Sequence, residues 1–156
     1  MPKRDLHSNI KVVQHVAAVA ITATNTPGSG VDNRDYDSME FVFSVGIMTN
    51  VANSPQPSFT FKLQDSTAVS SLFADVTDSN LVLTGSAQSP STTPDSSTGV
   101  FLTIDAASED AATYRVGYIG GKRYVRLVAT AANTPGSTPY SAVCILSHAQ
   151  LAPTAD

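Results

Sequence analysis

Apolar and polar residues alternate along much of the chain with a period of two, the spacing that places successive side chains on opposite faces of a β-strand. Residues 39–48 give the clearest example, because Phe41, Phe43 and Val45 share one face while mostly polar or small residues occupy the other. Residues 59–64 repeat the pattern with two phenylalanines and a leucine on one face. Both segments are predicted to be strands with one buried face.

Short turns rich in Gly, Pro, Asn and Ser separate nine segments of this kind. The predicted strands are residues 10–24, 39–48, 59–64, 72–76, 81–84, 100–104, 114–119, 122–131 and 140–146. The only helical turn we expect is a single one within residues 105–113. Eight or nine short strands without a long helix predict an all-β, single-domain antiparallel β-sandwich with a jelly-roll-like architecture.

The domain is predicted to span residues 10–148, between a flexible N-terminal arm at residues 1–9 and a frayed tail at residues 149–156. Within it, residues 85–99 consist almost entirely of Ser, Thr, Pro, Asp and Gly, which predicts an exposed, mobile loop. Segment 10–24 is apolar on both faces, so we expect it to be covered on both sides for part of its length.

Two turn signals carry further expectations. Gly120 and Gly121 lie between two strand-like segments and predict a β-hairpin. The sequence Asn-Thr-Pro-Gly-Ser occurs twice, at residues 25–29 and 133–137, in each case after a long strand. The simplest interpretation is two similar turns, with Gly at a positive φ. The alternative is that both loops lie at the same end of the sandwich and face one partner.

Charged residues make up only 14% of the chain, whereas 19 serines and 17 threonines supply much of its polarity. Such a surface suits contact with other protein better than long-range electrostatic capture. The net charge is −4, and the one tight basic cluster after the N-terminus is Lys122, Arg123 and Arg126. Direct nucleic-acid binding is not expected, because phosphate recognition normally requires a basic face. No signal peptide and no membrane-spanning segment are expected either.

Residues that could perform chemistry are few. Cys144 lies in an apolar run and is predicted to be buried rather than reactive. The three histidines and Cys144 lack zinc-ligand spacing, and the acidic residues around Arg34 lack the EF-hand pattern, so we expect no metal and no cofactor. That acidic stretch is predicted to be a solvated loop, with a contact to a partner protein or a cation site as the alternative. No nucleophile elbow is present, so the chain is not expected to be an enzyme.

The most distinctive stretch is residues 114–128, YRVGYIGGKRYVRLV. Together with the opening MPKRDL, the turn at residues 30–32 and the segment FKLQDS at residues 61–66, it resembles small structural proteins encoded among the head genes of tailed bacteriophages. Residues 85–99 depart from this pattern, since the corresponding loop tends to be shorter in that family. The resemblance implies a virion protein that decorates or cements the capsid exterior after synthesis in the host cytoplasm.

The partners that this resemblance implies are the major capsid protein and further copies of the chain, with a trimer favoured. Tyr124 and Arg126 are expected to share an exposed patch, whereas Arg123 faces the other way and is expected to pair with an acid. The complete set of residues predicted to contact partners is Lys122, Tyr124, Arg126, Tyr118, Asn25, Pro27, Asn133 and Pro135.

Three other functions remain open at this point. A head–tail connector or tail component would also be structural, and its copy number in the particle would distinguish it. A carbohydrate-binding module displayed on the particle is possible on a jelly roll, although the chain has no Trp to stack on a sugar ring. A small hydrolase ranks last, because it needs a concave pocket that holds a His beside a carboxylate or Ser.

Overall fold

A computed structural model describes residues 6–86, 88, 89 and 94–150 of the chain. Within these residues the backbone forms two antiparallel sheets of five strands each, packed as a sandwich, which confirms the predicted all-β fold. Short 3-10 turns occupy His7–Asn9 and Asp78–Asn80. The strands are β1 (Ile10–Ile21), β2 (Val31–Asp32), β3 (Tyr36–Val45), β4 (Ser58–Ser66), β5 (Ala74–Asp75), β6 (Leu81–Val82), β7 (Val100–Ile104), β8 (Ala112–Tyr118), β9 (Tyr124–Ala132) and β10 (Thr138–Ala149).

The strand order is that of a jelly roll. Sheet A runs β1-β10-β3-β8-β6, and sheet B runs β2-β9-β4, with β5 and β7 both on the far side of β4. The first strand pairs with the last, β2 with β9, β3 with β8 and β4 with β7. In this nested pairing the chain resembles one long hairpin whose two arms stay paired as they wind around the sandwich. The described residues form ten strands where eight or nine were predicted, because β2 has two residues and is too short to show alternation.

The core between the sheets is built from the alternating apolar residues that predicted the strands. Phe41 and Phe43 of β3 face Phe59 and Phe61 of β4, and all four are at most 1% exposed. Phe43 stacks on Phe61 with ring centroids 4.9 Å apart and on Tyr114 at 5.8 Å. Buried aromatic rings of this size contribute much of the apolar area that stabilises a small domain.

The predicted hairpin at Gly120-Gly121 is wrong. β8 lies in sheet A and β9 in sheet B, so the chain crosses between the sheets here. The crossing wraps over the buried ring of Tyr118, whose hydroxyl accepts a hydrogen bond from the Lys122 N–H at 3.1 Å. A side chain at Gly120 would collide with that hydroxyl, which accounts for glycine at this position. A Gly-Gly pair fits a tight hairpin and this crossing equally well.

The expected helical turn within residues 105–113 is also absent. The segment forms a hydrogen-bonded turn, in which the Glu109 N–H donates to the Ala106 carbonyl at 3.0 Å. Asp110 is buried and accepts a hydrogen bond from the Met48 N–H at 2.9 Å, and Ala111 has a φ of 51°. The buried carboxylate and the left-handed residue after it end the turn before a helix can form.

β1 is an edge strand, and most of its side chains are exposed, contrary to the expectation that both of its faces would be covered for part of its length. Among the strands that the structure describes it pairs with β10 alone, and Val16 and Ile21 are its buried residues. Val12 is 57% exposed and Val19 46% exposed. Register shifts between Gln14 and Val16 and between Val16 and Val19 mark two bulges, which divide β1 into two regular runs.

His15, at the first bulge, closes the gap between β1 and sheet B. Its Nε2 accepts a hydrogen bond from the Leu127 N–H at 3.0 Å and lies 3.3 Å from the Leu127 carbonyl oxygen. Its ring packs edge-on against Phe41 at 5.0 Å. Further along β9, Asn25 pairs with Ala129, and Thr24 Oγ1 accepts from the Ala131 N–H at 3.0 Å. The backbone of β9 beyond the short β2 is therefore covered.

The predicted mobile loop is only partly described, because residues 87 and 90–93 lie outside the described residues. In the described part, Ser89 is buried and its hydroxyl accepts from the Thr84 N–H at 3.0 Å. Pro94 is buried as well, whereas Asp95 is exposed and holds a tight turn through the Ser97 and Thr98 N–H groups. A hydrogen bond from the Ser97 hydroxyl at 2.7 Å, together with those from the two N–H groups, lowers the pKa of Asp95 to about 2. Residues 1–5 of the predicted arm and 151–156 of the predicted tail also lie outside the described residues.

Candidate interaction surface

The residues predicted to contact partners do not form one exposed patch. Tyr118 is 3% exposed, and its hydroxyl donates to Asp65 Oδ2 at 2.8 Å inside the sandwich. Burial raises the pKa of Tyr118, and the interaction with the Asp65 carboxylate adds to this shift. Pro135 is buried too. Neither Tyr118 nor Pro135 can reach a partner without disturbing the fold.

Arg126 is half-buried and makes its polar contacts within the chain. Its Nε and Nη2 donate to Gln64 Oε1 at 2.9 and 2.7 Å, and Nη1 donates to the Pro27 carbonyl at 2.7 Å. The guanidinium carbon also lies 3.9 Å from the centre of the Phe73 ring, a cation–π geometry. Burial lowers the pKa of Arg126. Because these contacts hold the side chain against sheet B, docking on a capsid would require some of them to break.

Arg123 pairs with an acid, as the sequence suggested, but alternation along a strand does not position it. Residues 122 and 123 precede β9, in the crossing between the sheets. Arg123 donates from Nε and Nη2 to both carboxylate oxygens of Asp32, at 2.9 and 2.6 Å, and this hydrogen bonding raises its pKa. Its guanidinium also lies 4.8 Å from the Tyr124 ring centre. Lys122 is exposed beside this pair, and Tyr124 is half-exposed.

The two Asn-Thr-Pro-Gly-Ser copies are not equivalent loops at one end of the molecule. The first runs beside β9, where Asn25 pairs with Ala129. The second follows the end of β9, with Asn133 at a φ of 54° and Gly136 at 78°. Of the two copies, only the second has its glycine at a positive φ. The repeat reflects the same turn-forming residues used in two different backbone conformations.

The outward face of sheet A carries a surface that the sequence did not single out. Register places Val12, Ile145, Glu40, Gly117 and Val82 in one row across the five strands. The next row contains Gln14, Val143, Val42 and Arg115. We call the five aliphatic residues of these two rows the apolar face: Val12, Val42, Val82, Val143 and Ile145. All five are exposed or half-exposed, which predicts a surface suited to contact with protein.

The charged residues within these rows are already paired. Arg115 Nη1 lies 3.3 Å from Glu40 Oε1, and both side chains are substantially exposed. Beside them Gly117 leaves a shallow concavity of about 270 Å³, whose wall includes Ile119 and the hydroxyls of Ser38 and Ser147. A partner that covers this face would have to desolvate one ion pair and few other charged groups.

Ser38 and Ser147, which line the concavity, form a cluster with His148. Ser38 and Ser147 are opposite each other on β3 and β10, with their hydroxyl oxygens 2.6 Å apart. His148 Nδ1 lies 3.0 Å from each hydroxyl oxygen. Its φ is 55°, a conformation that L-residues seldom adopt. Among the described residues no carboxylate contacts His148, so the third group that would orient the imidazole in a hydrolytic triad is missing from this part of the chain.

The other residues that could perform chemistry have structural roles instead. Cys144 is fully buried, as predicted, and burial raises the pKa of its thiol to about 12, which disfavours the reactive thiolate. Asp32 of the acidic loop binds Arg123 and accepts the Arg34 N–H at 3.0 Å. Within the described ranges, no three His, Cys, Asp or Glu residues come together as a metal site would require.

Comparison with known proteins adds no family assignment. No protein-family model matches the chain, and no curated protein matches it significantly. No helix among the described residues is both long and apolar enough to cross a membrane. The sequence signal for the apolar face is the run Ala142–Leu146, in which both alternating faces are apolar.

Proposed function

We propose that this chain is a structural protein of a tailed-bacteriophage particle, which attaches to the capsid exterior through the apolar face of sheet A. The observation that carries the proposal is the apolar face, two rows of aliphatic side chains with the one ion pair Arg115–Glu40 among them, on the outside of a jelly roll. The resemblance of residues 114–128 to phage head-gene products supports the same assignment. The partner would be the major capsid protein.

The physical properties of this face suit a cement role. A protein that stabilises a shell must bury enough apolar surface on its partner to offset the loss of translational and rotational freedom. Aliphatic residues on a sheet lose little side-chain entropy on contact, because β-branched side chains are already restricted. The chain's low charge, 14% of residues, limits the desolvation cost at such a contact.

The virion assignment has two alternatives. A connector or tail component would use the same apolar face for ring contacts and would differ in copy number. A carbohydrate-binding module would use the concavity beside Gly117, since serine hydroxyls and the Glu40–Arg115 pair offer both donors and acceptors to a sugar. Binding to a glycan array would support that alternative.

The test adds purified protein to expanded capsids that lack it, sediments the particles and measures the bound protein. Three proteins are compared: the unmodified chain, Val143→Lys at the centre of the apolar face, and Thr130→Lys on the outside of sheet B as a matched control. We expect saturation near one copy per capsid subunit, improved capsid heat resistance and at least tenfold weaker binding by Val143→Lys alone.

The other outcomes are also informative. Saturation at the number of copies in a single ring would assign the chain to a connector or tail. Equal loss of binding in both lysine variants would reject the apolar face as the docking surface. Absence of binding by the unmodified chain would contradict the cement assignment itself.

A further inference from the structure

We infer that β1 is a self-association edge, at which two copies of this chain pair antiparallel about a two-fold axis near Val16. The inference is independent of the virion assignment. β1 is twelve residues long, and within the described part of the chain it pairs on one side only. Apart from the His15 ring, residues 12–20 make no hydrogen bond in the described structure outside the β1–β10 ladder. An uncovered edge of this length is a template for pairing with another strand.

The other described sheet edges are shorter or covered, and the longest uncovered one, β7, has five residues. β6 has two residues, and beyond it the Gln88 carbonyl accepts the Arg115 N–H at 2.7 Å. β9 is covered by β2 and by the contacts of Thr24, Asn25 and His15. The β5 edge is two residues long and carries Asp75, paired with Lys62 at 2.8 Å. Natural sheets protect edges by such means, and among the described residues β1 has only its bulges and the charge of Lys11.

The composition of β1 selects a second copy of itself as the occupant. Lys11 is its only charged residue. In an antiparallel pair centred on Val16, Lys11 of one copy would lie opposite Ile21 of the other. The two lysines would then be ten residues apart along the strand, roughly 33 Å, which is several Debye lengths. Pairing therefore brings no like charges together.

The positions of the bulges and the faces on which the side chains lie are consistent with this register. It would place the run Ile10–Gln14 of one copy opposite residues 18–22 of the other, so that the bulged segments meet at the axis. Val12 and Ala20 would be opposite each other, and both belong to the outward face of sheet A, opposite Ile145 and Pro139. Val13 and Val19 would also be opposite each other, and both belong to the inward face, opposite Cys144 and Tyr140.

A cysteine experiment tests both the contact and its register. Directly opposite residues in a sheet lie about 4.5–5.5 Å apart between Cα atoms, within the range of a disulfide. Mixing Val12→Cys with Ala20→Cys, or combining both in one chain, should give a disulfide-linked dimer under mild oxidation. Either single variant alone should not cross-link, because its own copies would be roughly 26 Å apart. Native Cys144 is fully buried and stays unreactive.

Solution mass measurements provide the second part of the test. We expect the unmodified chain to be a dimer that Val19→Lys dissociates, with at least a tenfold rise in Kd. Val82→Lys is the matched control, because Val82 is 41% exposed at the opposite edge of the same sheet. Circular dichroism verifies that both variants are folded. A monomeric or trimeric unmodified chain, cross-linking by the single variants, or equal effects of the two lysines would each overturn the inference.

Discussion

The outward faces of the two sheets differ sharply, although both sheets pack on the same core. On sheet B the outward residues of β4 and β9 are largely polar, and they are tied together by Lys62–Asp75 at 2.8 Å and by the Arg126–Gln64 hydrogen bonds. Val128 on that side is only 3% exposed. On sheet A the outward positions include the aliphatic residues of the apolar face, which are exposed or half-exposed, beside the Glu40–Arg115 pair. The polar side chains of sheet B are engaged by contacts within the chain, whereas sheet A leaves aliphatic side chains accessible to solvent.

Matching cross-strand pairs illustrate this difference. Thr60 is opposite Thr130 on sheet B, and Val42 is opposite Val143 on sheet A. Both residue types favour strands, so the choice does not affect whether the sheet forms. The choice between Thr and Val determines whether the face is better suited to water or to contact with protein. Three predictions test how far the two faces are independent, in order of decreasing effect.

The largest effect is expected from the shared core. Phe43→Ala removes a ring that contacts Phe61, Phe101 and Tyr114, and truncation of a buried Phe costs about 3–5 kcal/mol of unfolding free energy. Denaturant unfolding measures the loss, and amide exchange should speed up in both sheets alike. Faster exchange confined to sheet A would contradict a core that joins the two faces.

An intermediate effect distinguishes the two faces directly. Arg126→Ala on sheet B removes three charge-assisted hydrogen bonds and the contact with Phe73, so we expect a loss of about 1–2 kcal/mol. Arg115→Ala on sheet A removes only the exposed pair with Glu40, worth at most about 1 kcal/mol. Equal losses of unfolding free energy in the two variants would contradict the view that arginine stabilises sheet B more than sheet A.

The sequence predicts features that depend on neighbouring residues, and it does not predict those that depend on contacts between distant segments. Strands β3 and β4 were predictable because Phe41, Phe43, Phe59 and Phe61 alternate with polar residues. The pairing of strands was not, because Gly120-Gly121 suits a hairpin and a crossing between sheets equally well. The position of β1 at an edge was also hidden, since the apolar residues of an exposed edge and those of a covered strand look alike in sequence.

The candidate surface was harder to predict than the fold. The basic cluster suggested an exposed patch, but the Phe73 ring and the Pro27 carbonyl come from distant segments to engage Arg126. Tyr118 was placed among the contact residues because tyrosine is common at interfaces, yet Asp65 from another strand holds its hydroxyl inside. Such long-range contacts decide exposure, and local patterning carries no record of them.

The smallest effect expected is pH-dependent and concerns the junction between the two sheets. Burial lowers the pKa of His15 from 6.5, the Leu127 backbone contact opposes this shift, and Arg126 adds to it. The unfolded chain therefore binds a proton at His15 before the folded chain does. The contribution of His15 to the free energy of unfolding is fully present above about pH 6.5 and falls as the pH drops towards the pKa of His15 in the folded chain. Denaturant unfolding at pH 7.5 and 5.5 measures the loss, and His15→Gln serves as the control.

The comparison with His15→Gln isolates this group, because the carboxylates titrate in both proteins. The decline in stability between pH 7.5 and 5.5 should be smaller in the variant, by the contribution of His15 alone. If both proteins lose stability equally, His15 is not held neutral at the Leu127 contact. If the unmodified chain becomes more stable as the pH falls, the ring is instead charged in the fold and donates to the Leu127 carbonyl. The two sheets would then be joined by an imidazolium rather than by a neutral ring.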